Sequence, residues 1–174
     1  MDTRTRYMLD TNVFNDVLDG TIDIAGLKGK RLIATHIQRD EINNTKDEVR
    51  RAALVSVFEF LAGEQTPTSS AVAGISVAGG ACASSNGVVP TESAVWDVSR
   101  WDGAKWGAAD DIFEGMRREL DALNKAKRNN AHDILIAETS LRNGWVLITA
   151  DRDLFAVVTK CGGACGNAFT LQAV

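Results

Sequence analysis

Acidic residues at four separate places in the chain could share one site. Asp10 ends the apolar run Tyr7-Met8-Leu9, and Asp151 follows a second run, Trp145 to Thr149, with Asp153 two positions on. Glu41 stands just past a third run, Arg31 to His36, and Asp133 opens the stretch that leads into the second. Four carboxylates in one crevice repel strongly unless a cation lies among them. An oxygen-only set without cysteine suits Mg²⁺ or Mn²⁺ better than zinc. An ion held in this way lowers the pKa of a bound water and neutralises charge on a phosphate, so the chemistry implied is phosphodiester hydrolysis. Taken singly, each acid is equally well a solvated or helix-capping residue. Their common placement near strand ends is what argues for a site.

Such acids meet only if the runs are strands of one parallel sheet, whose carboxyl edge is where α/β proteins place ligands. The sequence predicts that arrangement. Thr11 or Asn12 caps a helix through Val13, Phe14, Val17 and Leu18 that stops at Gly20. A short helix spans Ile37 to Asn43. Thr45 and Glu48 have capping-box spacing, and the helix they open carries Val49, Ala53, Val57, Phe60 and Leu61 at helical period. A later helix carries Phe113, Met116, Leu120 and Leu123 and ends in the basic segment Lys125, Lys127 and Arg128. Asn129 or Asn130 then caps a helix through Ile134, Leu135, Ala137, Glu138 and Leu141. It runs into a strand over 145–149; Asp153 to Thr159 reads as one more helix and Ala168 to Leu171 as a last strand. Strands alternating with helices make an α/β fold with a central parallel sheet flanked by helices. Asp133 reaches the carboxyl edge if the long helix before it returns the chain there.

The chain has 174 residues, enough for one domain over 1–174. Residues 64–107 differ: they hold both prolines, are rich in Gly, Ala and Ser, and lack helical period, so they read as an insertion. Its tryptophans, Trp96, Trp101 and Trp106, are either a stacking platform for bases or anchors to the core. The net charge of −4 does not favour a broad nucleic-acid face, so a polyanion would need local basic segments. Three cysteines make no disulfide framework, and Cys161 with Cys165 falls short of the four ligands of structural zinc. No apolar run is long enough to span a membrane, and no signal region follows Met1 to Arg6, so the expectation is a cytoplasmic protein without membrane partners.

Four segments carry a resemblance. Met8 to Asn12, Ala34 to Glu41, Asn130 to Ala137 and Leu147 to Leu154 resemble the four motifs of PIN-domain nucleases, including VapC-like ribonuclease toxins of toxin–antitoxin systems. The resemblance implies a three-layer PIN-like fold and Mg²⁺- or Mn²⁺-dependent endoribonuclease activity leaving a 5′-phosphate and a 3′-hydroxyl. It also implies an RNA substrate and a protein antitoxin, and it admits a homodimer. By position, Asp10, Glu41, Asp133 and Asp151 match the acidic quartet. Asp153 matches a frequent fifth acid and metal ligand, Asn12 the polar residue of the first motif and Thr149 the hydroxyl of the last. The glycine that often follows the second-motif Glu is absent; Asn43, Asn44 and Thr45 stand there. The insertion is longer than in compact toxins. Lys125, Lys127 and Arg128, just before Asp133, are candidates to grip RNA phosphates. His36 and His132 are candidate general acids, and Glu138 either supports the site or lies on the surface. The alternatives are a PIN nuclease of RNA processing or defence without an antitoxin, a non-catalytic RNA-binding PIN-like domain, and a phosphatase using Asp10. The last would want a second Asp where Asn12 stands.

Overall fold

The computed structural model of the chain describes residues 5–70, 111–127 and 129–172. Five strands form one sheet in the order β3-β2-β1-β4-β5. They are β1 (Arg6–Leu9), β2 (Arg31–Thr35), β3 (Glu64–Thr66), β4 (Val146–Ile148) and β5 (Ala164–Gly166). Every pairing is parallel, so all strands end at the same edge. The chain builds outward from β1 to β3, then returns to place β4 on the other side of β1. This reversal between β1 and β4 opens a crevice outside their carboxyl ends.

Period-two alternation sends neighbouring strand residues to opposite faces. Leu9, Leu32, Ala34 and Ile148 face α1 (Thr11–Leu18), α3 (Glu48–Leu61) and α7 (Ala168–Gln172). Met8, Ile33 and Leu147 face α4 (Ile112–Asn124), α5 (Asn130–Arg142) and α6 (Arg152–Lys160). The short α2 (His36–Asn43) lends Ile42 to the first core and Ile37 to the second. The result is the three-layer α/β arrangement expected from the sequence. Met8, Leu9, Ile33, Phe14 and Ile134 are fully buried, and each such side chain contributes roughly 1.5–3 kcal/mol.

Several local expectations are corrected. The helix after β1 is capped by Asp10 and not by Thr11 or Asn12; the Asp10 carboxylate accepts the Thr11 amide at 2.7 Å. Asp47 caps α3 in place of Thr45, and the capping box lies instead at Thr35 and Gln38. Within α3 the buried stripe is Leu54, Phe58 and Leu61, while Val49 and Phe60 are 82% and 68% exposed. Both stripes have helical period. Docking on α1, where the Phe14 and Phe58 rings meet at 5.2 Å, selects one of them. Residues 168–171, read as a strand, are helical, and the edge position beside β4 is taken by Ala164–Gly166. Glu64–Thr66, placed in the insertion, is an edge strand of the sheet; residues 71–107 of the insertion, with its tryptophans, lie outside the described residues. In both cases backbone pairing to a formed sheet outweighs weak strand propensity. Among the described residues no helix is long and apolar enough to cross a membrane.

Candidate functional site

Asp10 sits at the centre of the carboxyl edge. It is buried, and both its oxygens are engaged. Oδ1 accepts from the Thr11 amide. Oδ2 accepts from Asn12 Nδ2 at 2.7 Å and from Thr149 Oγ1 at 2.6 Å. Thr149, the residue after β4, also accepts the Asp151 amide at 3.0 Å, and Asn12 Oδ1 accepts the Ala150 amide at 3.4 Å. This web ties the ends of β1 and β4 together. Asp151 caps α6, with Oδ1 accepting from the amides of Asp153 and Leu154 at 2.8 and 3.1 Å.

Asp10, Glu41, Asp133 and Asp151 line one crevice of about 460 Å³, together with Asn12, Lys127 and His132. Glu41 reaches it from α2, which starts at the end of β2 because Thr35 caps it there. Gln38 holds that start in register: its amide nitrogen donates to the Leu9 carbonyl at 2.7 Å. Glu41 Oε1 lies 3.1 Å from His132 Nδ1, and Oε2 accepts from Thr11 Oγ1. Asp133 stands in the first turn of α5. The approach to α5 is a sharp turn in which Lys125 and Ala126 are both left-handed, at φ 60° and 52°. That turn, not a continuing helix, brings Lys127 to the crevice.

The electrostatics are those of crowded acids. Burial pushes the Asp133 carboxyl up to about 8; Asp10, Glu41 and Asp151 add to the shift and Lys127 opposes it. Burial also raises Asp10 to about 6, with Glu41 and Asp151 adding, against hydrogen bonds from Thr149 and the Thr11 amide. Both acids therefore resist ionisation in a crevice where carboxylates outnumber cations.

The donors are oxygens from four acids, the set that hard cations take. Among the described residues, no three acidic, His or Cys groups converge as a ready cage. The carboxylates nevertheless border a common crevice, and their oxygens retain lone pairs beside the bonds already made. Mg²⁺ commonly keeps several waters and takes only one or two carboxylates. The residues present therefore fit a hydrated Mg²⁺ or Mn²⁺.

The remaining candidates separate. Asp153 lies on the first turn of α6, and the Asp151 side chain caps its amide; it is not among the residues that line the crevice. Lys125 is the left-handed cap of α4, and Arg128 lies outside the described residues. Among the described residues both buried ring nitrogens of His36 lack a hydrogen-bond partner, and His36 does not line the crevice. Glu138 is fully buried and not on the surface. Thr11 and Gln38 were not recognisable in the sequence as parts of the site. The Thr35–Gln38 spacing was the one available signal for Gln38.

The order of the sheet and the crevice at its reversal point define the class as a PIN-like α/β fold. No protein-family model matches the chain, and no curated protein sequence matches it. Among solved structures, the fold is similar to that of a chain in VapBC2 from Rickettsia felis, crystallised bound to a DNA fragment from their promoter. The TM-score is 0.52 at 15% identity, covering 94% of this chain and 98% of that one. A chain of FitAcB from Neisseria gonorrhoeae aligns with a TM-score of 0.46 at 15% identity, covering 94% of this chain and 98% of that one. A chain of VapBC-5 from Mycobacterium tuberculosis, a member of the VapBC family of toxin–antitoxin systems, aligns with a TM-score of 0.42 at 16% identity, covering 94% and 97%.

Proposed function

We propose that this protein is a metal-dependent endoribonuclease that hydrolyses RNA phosphodiester bonds, and that it acts as the toxin of a toxin–antitoxin pair. One observation carries the catalytic reading: four acids from four separate segments line one crevice at the reversal point of the sheet. Asp10, Glu41, Asp133 and Asp151 would hold Mg²⁺ or Mn²⁺. When bound, the ion supplies positive charge for the scissile phosphate and activates water for attack. Thr149 and Asn12 orient the Asp10 carboxylate through its Oδ2. Thr11 orients Glu41. Lys127, at the crevice, offers a cation to a neighbouring RNA phosphate. The toxin reading rests on the motif resemblance and on the shared fold with a chain of a VapBC complex. It implies a protein antitoxin that covers the crevice.

The test is Asp10→Asn in purified protein, assayed on RNA with Mg²⁺ or Mn²⁺. Asn is nearly isosteric, so the variant should fold, and its thermal stability without metal should be unchanged or higher. Cleavage should vanish. Full activity in a folded Asp10→Asn variant would sink the catalytic reading. Induced expression should arrest growth for the parent and not for Asp10→Asn; growth unaffected by an active enzyme would remove the toxin reading alone.

A further inference from the structure

A second cavity, of about 320 Å³, adjoins the acidic crevice and shares Asp151 with it. Its walls are mostly apolar. Val13 and Ile22 come from the α1 side, Phe155 from α6 and Phe169 from α7. Both phenylalanines expose much of their surface, at 39% and 57%. Asp16 also lines the cavity, and its carboxylate makes no hydrogen bond among the described residues.

We infer that this cavity binds the base of the nucleotide next to the scissile phosphate, and that it favours bases with an exocyclic amino group over uracil. The inference rests on the ribonuclease reading. The volume lies at the lower end of small-ligand pockets, about 300–1,000 Å³, which fits one nucleoside and not a helix. Two exposed aromatic rings are what an unstacked base packs against. Asp16 and Asp151 border the space against one arginine among the lining residues, Arg152, so the walls favour an uncharged base over a phosphate. Asp16 is instead an acceptor suited to the amino group of cytosine or adenine. Continuity through Asp151 sets the direction: a strand whose phosphate lies among the acids can turn its neighbouring base into the cavity without leaving the protein.

The experiment maps every cut in one long unstructured RNA by sequencing the ends, with Mg²⁺ or Mn²⁺, for the parent protein, Phe155→Ala, Phe169→Ala and Asp16→Ala. The parent should cut with adenine or cytosine enriched over uracil at one position beside the cut. Each ring deletion should lower total cleavage by about 5- to 150-fold, the range for losing one stacked base. Asp16→Ala should erase the amino preference, bringing cuts beside uracil up to the frequency of cuts beside adenine or cytosine. Circular dichroism checks that each variant is folded. A parent with no base preference, or variants with the parent's profile and rate, would overturn the inference and leave the ribonuclease reading standing. If the parent cuts no RNA, that reading fails, and the cavity is judged by titrating AMP, CMP and UMP into metal-free protein. Shifts of the Phe155 and Phe169 ring resonances by AMP and CMP, larger than those by UMP, would still support it. Rings that none of the three moves, or rings broadened by self-association of the chain, would overturn it.

Discussion

Two acids on one helix, one half-buried and one fully buried, behave in opposite ways. Asp133 and Glu138 both belong to α5. Asp133, in the first turn, faces Asp10, Glu41 and Asp151, and its carboxyl is pushed up to about 8. Glu138 is fully buried in the middle of the helix, yet its Oε1 accepts from Arg142 Nε and from Ser70 Oγ, each at 2.8 Å. The neighbouring Thr139 hydroxyl accepts the Ser69 amide at 2.9 Å. One carboxylate is surrounded by its own kind, and the other is given a cation and a hydroxyl. The difference separates the crevice proposed to take a cation from a clamp that holds the 68–70 segment on α5. The more deeply buried acid is the one with a cation beside it, so the sign of the neighbouring charge, and not the depth of burial, sets the difference.

The largest expected effect tests the Asp133 side. Asp133→Asn should lower RNA cleavage about a thousandfold or more, roughly 4 kcal/mol of transition-state stabilisation. The metal-free protein should be as stable as the parent or more so. Loss of the fold in Asp133→Asn would move this residue to the side of Glu138.

Glu138→Ala should do the reverse. It leaves Arg142, whose side chain is only 12% exposed, without that partner and strands Ser70. Removing one member of a buried pair costs about 3 kcal/mol or more. Urea denaturation should show the loss, and Glu138→Gln, which keeps an acceptor, should lose less. Cleavage per folded molecule should stay within a few-fold. A stable Glu138→Ala protein without activity would break the comparison.

A pH series sharpens it further. Both Asp133 and Asp10 have folded-state values above the ordinary carboxylate range, about 8 and about 6. Between roughly pH 4 and those values the folded protein holds protons that the unfolded chain releases. The stability this contributes is fully present below about pH 4 and lost as pH rises toward 8. The melting temperature of metal-free protein should therefore fall from pH 5 to pH 8. In Asp133→Asn the decline should be shallower and confined mostly to the lower part of the range. Added Mg²⁺ should raise the melting temperature most near pH 8. A melting temperature that is flat with pH in the parent would mean that the acids are not crowded.

The smallest effect concerns the cations near Asp133. Lys127→Gln should flatten the salt dependence of RNA affinity by about one unit of slope, measured with metal and an uncleavable RNA. Lys125→Gln, at the cap of α4, should change it less. Equal and negligible changes would make both lysines solvated turn residues.

Much of the site was legible because short-range pattern carries it. Apolar runs ended by Asp10 and Asp151 mark strand ends, and the carboxyl edge of a parallel sheet is where such ends gather. Asp133 was harder, since no strand precedes α5; its place depends on the left-handed pair Lys125 and Ala126, which nothing in Lys-Ala signals. Glu138 was illegible because its partners Ser70 and Arg142 come from opposite directions along the chain, one of them far away.

The sequence by itself determined the alternation of strands and helices, the parallel sheet, and the order in which Asp10, Glu41, Asp133 and Asp151 occur. These follow from periodicity and from residue chemistry over a few positions. Only the tertiary structure decided which stripe of α3 is buried, which segments pair at the sheet edges, and which donors hold Asp10. Val49–Phe60 and Leu54–Phe58–Leu61 fit helical spacing equally well, and Ala164–Gly166 has little strand propensity of its own. In each case the choice is made by surfaces distant in sequence: the Phe14 ring against α3, the free edge of β4, and Thr149 reaching across from β4 to Asp10. A local pattern limits what a segment can become, and the contacts it makes with the rest of the chain select among those states.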